Sequence, residues 1–564
     1  MLPQSGLPAS ALAGAGVRGG DPAVTVHLPI DIRRFPWIRR LAADYAYEYE
    51  RLAGFFAGDP SSPDAWREAI ERTQRHTRER EAIATILRAQ QERRRAPAEA
   101  IDAAESLRRP DAVAIVTGQQ AGLFGGPLFT LLKALTAVRL AERVRDEHQV
   151  PAVAVFWIDA EDHDWDEVRS CGVLGADLDV RNVSVGNPPG AHAGPIARVR
   201  LDDTVNSAIA DLEATLPATE FSPQVIAALR QAYRPGAGMA EAFAQWLEAL
   251  LGARGLVVFD ASDAAAKPLA SRVFSHELEH PGETARLAGA AGAALESRGY
   301  HAQASPHADS VALFYLNAQR DPIRRAGDDF QIGERTTPRA ALIDEARQNP
   351  ERFSPNVLLR PLIQDTLFPT ACYVAGPSEL AYLAQLRGVY DTFGIPMPLI
   401  YPRATATIVD SNAMRFLTRH DFPLESLQAQ DEAALNQLLE SQLPPRVEAL
   451  MHETAAAVDD RLGELAGVIT ELDATLEGAT RSTLGRMQDD LKKLHGKIIQ
   501  AAKRKNDTLR RQYHHAQAQA FPAGHPQERQ VGGVYFLNKY GPTLVDRLHA
   551  ELVLDHGMHW VVTI

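Results

Sequence analysis

Two cysteines in 564 residues, Cys171 and Cys372, exclude a disulfide framework and a cysteine-rich zinc site. Long apolar runs are missing as well. The longest, at residues 153–158, is strand length and falls far short of the roughly 20 residues a membrane-spanning helix needs. No basic segment followed by an apolar stretch opens the chain, so no secretion signal is expected, and a reducing cytoplasm is the expected compartment. There is no basic excess: 59 basic against 72 acidic side chains give −13, which argues against a general nucleic-acid binder but leaves local anion sites open. What is present is ordinary. An apolar fraction of 45% and a charged fraction of 23% exclude wholesale disorder and a fibrous repeat, and the length predicts several folded units.

Residues 1–28 form a Gly-, Ala- and Pro-rich extension predicted to be poorly ordered. From Asp31 to about Arg108 the pattern is helical, and the Glu- and Arg-dense stretch 66–95 reads as a solvated helical face. Ala112-Val113-Ala114-Ile115-Val116 then reads as a buried strand, followed by a Gly-rich turn at 117–127. A helix over 128–144 follows, with Pro127 suited to its first position, and a second strand at 152–158. Strand, helix and strand in about fifty residues make a βαβ unit and hence a parallel sheet. A third strand is predicted at 255–260. The core spans 29–425, with a β-rich insertion at about 172–235 and a second at about 301–360 that contains a hairpin turning at Gly327.

The region 426–518 is predicted to be a helical coiled coil. Val458, Leu462, Leu465, Ile469, Leu472 and Leu476 step by four and three, as do Leu484, Met487, Leu491, Leu494 and Ile498. Residues 446–480 carry eight acidic and two basic side chains, whereas 481–515 carry ten basic and three acidic. Such arms pair favourably as an antiparallel hairpin broken near Asp473, a good N-cap; one continuous helix is the alternative. Residues 519–564 end on the apolar Trp560-Val561-Val562-Thr563-Ile564 and are expected to pack back on the core.

Several segments carry chemistry. A strand feeding a glycine turn and a helix, as at Thr117-Gly118-Gln119-Gln120, offers backbone N–H groups and a positive helix end to an anion, although it matches neither a Walker loop nor Gly-x-Gly-x-x-Gly. Asp159-Ala160-Glu161-Asp162-His163-Asp164-Trp165-Asp166 follows the second strand, where ligands of open parallel sheets bind. Carboxylates crowded around one imidazole repel one another, a cost relieved by a cation, an amine or a metal. His163 lacks a partner at helical zinc-ligand spacing. Arg360 suits a carboxylate or phosphate, with an ion pair to Asp365 as the structural alternative, and Arg403 is a similar anion candidate. Glu379 in Gly376-Pro377-Ser378-Glu379 reads best as a helix cap. Cys372 reads as a small buried residue, and Lys503-Arg504-Lys505 as a solvated helix face.

Thr117-Gly118-Gln119-Gln120, Glu161-Asp162-His163-Asp164, Ser354-Pro355-Asn356-Val357-Leu358-Leu359-Arg360-Pro361 and Gln527-Glu528-Arg529 together resemble the bacillithiol biosynthesis cysteine-adding enzymes, a family of cysteine ligases. The resemblance runs from about Pro29 to the end, with the motifs in order. Ser378 and Asp159 depart from the family's usual residues and are left out of the expected site. The resemblance implies an α/β, Rossmann-like, nucleotidyltransferase-type core with two connecting insertions, and a coiled coil that makes a homodimer. It also implies the last step of bacillithiol synthesis, joining the cysteine carboxyl to the amine of glucosaminyl-malate.

Amide formation from a free carboxylate and an ammonium is uphill in water, so activation by ATP is expected, with no tightly bound metal. In that reaction the turn holding Thr117, Gly118, Gln119 and Gln120 cradles phosphate or carboxylate oxygens. His163, oriented by Asp162 beside Glu161, takes the amine proton. Arg360 and Arg403 hold anionic groups such as the malate carboxylates, and Asn356 a sugar or carboxylate oxygen. Two other readings remain at this point: a metal-dependent amidohydrolase using the acidic cluster, and a non-catalytic coiled-coil adaptor.

Overall fold

The computed structural model describes residues 27–564, apart from 308, 318, 443–444, 470, 472, 474 and 506. The expected N-terminal extension up to residue 26 lies outside the described residues, as do the side chains of Lys503-Arg504-Lys505. The chain divides into two compact units. One comprises the chain up to Ile408 together with Gln527–Ile564, and the other is Val409–Pro526.

The first unit is built on five parallel strands: β1 (Val113–Gln119), β2 (Ala152–Ile158), β3 (Val257–Asp260), β4 (Thr370–Ala375) and β5 (Leu399–Pro402), in the spatial order 3-2-1-4-5. Val113, Ala114, Ile115 and Val116 have no exposed surface, because helices cover both faces of a parallel sheet. The crossover from β1 to β2 is the helix α1 (Leu128–His148), with Pro127 at its N-cap. On leaving β1 the strand order proceeds through β2 to one edge and through β4 to the other, so the carboxyl ends of β1 and β4 bound a crevice. Met558–Thr563 pairs antiparallel with His27–Asp31, so the last residues do return to the core unit.

The second insertion is a five-stranded antiparallel sheet, and its hairpin of Arg320–Ala326 and Asp329–Ile332 turns at Gly327, where φ is +67°. The first insertion is more helical than its alternating segments suggested. After a hairpin of Ser170–Leu174 and Val180–Ser184 come helices Thr204–Thr215 and Ser222–Ala232. Val205, Ala208, Ile209 and Leu212 bury one face of the former at helical spacing.

Two further helices border the crevice, α3 (Arg360–Leu367) and α4 (Pro377–Leu383), and α2 (Lys267–Glu279) precedes them in the chain. In the second unit α5 (Pro445–Ile469) and α6 (Leu476–Lys505) form an antiparallel hairpin. Gln488 Nε2 donates to Asp459 at 2.7 Å, and His495 Nε2 lies 3.0 Å from Glu448. Asp473 accepts from Thr475 N at 2.9 Å in the connection, which removes the continuous-helix alternative. This unit begins earlier than residue 426, because Ser411–Arg419 packs on Asp507–Ala520 through Phe416, Phe422 and Tyr513.

Candidate active site

A cavity of about 500 Å3 opens at the carboxyl ends of β1, β2, β4 and β5. Its lining carries both signs of charge. Asp159 and Asp162 after β2, with Glu167, supply carboxylates, and Gln120 Nε2 donates to both Asp162 and Glu167, the latter at 3.0 Å. Arg360, Arg403, Arg529 and Lys133 supply cations.

Most of these charges are positioned by a partner. Lys133, on the first turns of α1 and 2% exposed, donates to the Gly118 carbonyl at 2.9 Å and to Gln119 Oε1 at 3.2 Å, and forms an ion pair with Glu379. Glu379 accepts from Gly376 N at 2.6 Å, capping α4, and from Tyr373 Oη at 2.9 Å. Burial alone would raise the Glu379 carboxyl; Lys133 overrides it and holds the group below its ordinary value. Arg403, also 2% exposed, grips both oxygens of Glu528, one at 2.9 Å, while Gln527 bonds both backbone groups of Ile408. Distant sequence is thereby fastened to the end of β5. Arg360 Nη2 donates to Tyr382 Oη at 2.8 Å, and its Nε lies 3.7 Å from Asp159. Burial raises the Asp159 carboxyl against the opposing pull of Arg360.

Of the residues expected from sequence, Gly118, Gln119, Gln120, Asp162, Arg360 and Arg403 line the cavity together. Thr117 does not reach it, because its buried hydroxyl donates to the Val374 carbonyl at 3.0 Å and ties β1 to β4. Glu161 faces away, paired with Lys267 of α2 and accepting from Ser354 Oγ at 3.0 Å, so it clamps the second insertion to the core. Asn356 is also structural: its Oδ1 accepts from Leu358 N at 2.9 Å and Leu359 N at 3.2 Å, setting up the start of α3. His163 is exposed, its Nδ1 lying 3.4 Å from Asp162. Arg360 has Tyr382 and Asp159 as partners rather than Asp365, whose carboxyl accepts from Tyr390.

Sequence reasoning missed Lys133, Thr130, Tyr382 and Arg529, and set aside Asp159 and Ser378, all of which line the cavity. Lys133 left a usable signal, since a lone charge within the apolar, buried first half of a helix requires a partner. The glycine-rich segment that follows the expected cradle is folded onto itself. Gly122 N donates to Gln120 O, Gly125 N to Gly122 O and Gly126 N to Leu123 O, while the Gly118 carbonyl accepts from Lys133. Gly118 serves close strand packing, since a Cβ there would sit 2.8 Å from the Trp157 carbonyl oxygen. Among the described residues no three His, Cys, Asp or Glu side chains are grouped to hold a metal ion.

A polar, two-signed cavity at the switch point of a Rossmann-like sheet defines an α/β enzyme for small charged reactants. Comparison with known proteins narrows the class. Residues 28–404 match the family model described as bacillithiol biosynthesis BshC, N-terminal Rossmann-like domain, and residues 406–564 match its C-terminal coiled-coil domain. A Salinibacter ruber protein named "Putative cysteine ligase BshC" is 36% identical, covering 93% of this chain and 96% of its own. Relatives of the same name from Chlorobaculum tepidum and Koribacter versatilis are 35% and 32% identical, covering 83% and 92% of this chain and 86% and 96% of theirs. The chain belongs to the bacillithiol biosynthesis BshC family and is an enzyme of the ligase class.

Proposed function

We propose that the enzyme joins the carboxyl of L-cysteine to the amine of glucosaminyl-malate, forming bacillithiol. The observation that carries this reading is the cavity itself, whose lining combines the carboxylates of Asp159, Asp162 and Glu167 with the cations of Arg360, Arg403 and Arg529. Both reactants carry an amine and carboxylate, and such a cavity offers a counter-charge to each. Holding the two together converts a bimolecular step into a local one. Asp162 holds the acceptor's ammonium, and His163, exposed and 3.4 Å from Asp162, takes a proton from it so that the neutral amine attacks the activated carboxyl and the activating group leaves.

Activation of the cysteine carboxylate by ATP belongs to the proposal on thermodynamic grounds. The amides of Gly122, Gly125 and Gly126 are taken up within the loop, so these three do not hold the nucleotide's phosphates. The α5–α6 hairpin exposes Leu465, Val468, Met487 and Leu494, which supports pairing with a second copy of the chain. Among the described residues no helix is long and apolar enough to cross a membrane.

The test is incubation with cysteine, glucosaminyl-malate and ATP, following bacillithiol and the nucleotide product. AMP indicates adenylation and ADP phosphorylation; no bacillithiol under any condition refutes the reading. His163→Ala is expected to reduce turnover strongly at unchanged Tm, and unchanged turnover removes His163 from the mechanism.

A further inference from the structure

The cavity's cations are not equivalent. Lys133 has Glu379, Arg403 has Glu528, and Arg360 has Tyr382 and Asp159. Arg529 differs: among the described residues no hydrogen bond or ion pair engages its guanidinium, which is exposed on the cavity wall. Its place is fixed by the backbone that follows. Leu128 N donates to Val531 O at 2.8 Å, and Pro127 bridges to Gly532, so the segment carrying Arg529 lies against the first turn of α1.

That turn carries a second unsatisfied group. Thr130 is 1% exposed and lines the cavity, yet its hydroxyl has no partner among the described residues. A buried hydroxyl without a partner is costly, and a ligand acceptor removes that cost. The same turn is the positive end of a 21-residue helix, and the Arg403 guanidinium stacks over Phe129 at 5.4 Å. A buried unpaired donor and an unpaired cation thus line one cavity, on two segments joined at a helix N-terminus.

We propose that the start of α1 is a carboxylate-binding subsite in which Arg529 and Thr130 both donate to one carboxylate of the acceptor. The inference rests on the ligase reading for the identity of that acceptor. One free cation and one free hydroxyl match a carboxylate's two oxygens. A polyphosphate needs further donors, and Lys133 and the amides of Gly122, Gly125 and Gly126 are already engaged.

The test is isothermal titration of the full-length protein with L-malate, and in a separate arm with inorganic phosphate. The proteins are the native chain, Arg529→Gln and Thr130→Val, the second nearly isosteric. The native chain is expected to bind malate, Arg529→Gln about tenfold more weakly or worse, and Thr130→Val several-fold more weakly. Absence of malate binding to the native chain overturns the proposal. So does unchanged affinity in Thr130→Val, which stays decisive if Arg529→Gln fails to fold, and so does binding of phosphate alone with the same residue dependence. Malate binding that depends on Arg529 and Thr130, in a protein that makes no bacillithiol, supports the subsite while refuting the ligase reading.

Discussion

Replacing Glu528 by Gln tests how the cavity is held together. Arg403 and Glu528 are 2% and 7% exposed and joined through both carboxylate oxygens, with Ala406 N also donating to Glu528 at 3.4 Å. Glutamine keeps the shape but leaves a guanidinium buried beside a neutral amide. Breaking a buried pair from one side costs about 3–5 kcal/mol, because the remaining charge stays desolvated. For a unit this large that is about 5 °C in Tm. All six tryptophans lie in the core unit, so tryptophan fluorescence during denaturation follows it separately from the helical unit. The double replacement Arg403→Met with Glu528→Leu removes both charges and is expected to recover most of the loss, while abolishing any role of Arg403 in ligand binding. A loss in Glu528→Gln below about 1 kcal/mol would refute the reasoning, and so would a double variant no more stable than the single one.

Thr117→Val should cost about 1 kcal/mol in denaturant unfolding while leaving KM unchanged, because the hydroxyl serves Val374 and not a ligand; a raised KM at native stability contradicts this. Gly118→Ala should destabilise the core unit by about 2 kcal/mol, since its Cβ meets the Trp157 backbone, and an unchanged denaturation midpoint argues otherwise. Glu277 is buried, accepting from Ala312 N at 2.8 Å and from Thr284 Oγ1 at 2.5 Å, and burial pushes its carboxyl up to about 7 from an ordinary 4.5. The unfolded chain ionises first as pH rises, so Glu277 removes stability between about pH 4.5 and 7 and has no such effect below that window. The stability advantage of the native chain over Glu277→Gln should therefore shrink across that range, and an advantage constant with pH disproves the coupling.

The elements most legible in the sequence were those with strict period or punctuation. The apolar runs of β1 and β2, Pro127 ahead of α1, Gly327 in its hairpin and Asp473 between the coiled-coil arms all act through local backbone preferences. The site was only half legible, for a physical reason. Gln120, Asp162, Arg360 and Arg403 were found because polar residues at strand ends point to a crevice. Whether a polar side chain faces that crevice or a neighbouring strand depends on pairings such as Thr117 with Val374, or Glu161 with Lys267, across long separations. Lys133 and Thr130 were hidden within the apolar first half of a helix, and Arg529 was placed at the cavity only by the return of the chain after the helical unit.

That return orders the enzyme's assembly in time. A nascent chain translated through the second unit has already made every strand of the parallel sheet, yet Arg403 still awaits Glu528 and the cavity still lacks Arg529. Ribosomes deliver those two residues only after the whole hairpin excursion, so prematurely terminated products carry a Rossmann core with an unfinished wall.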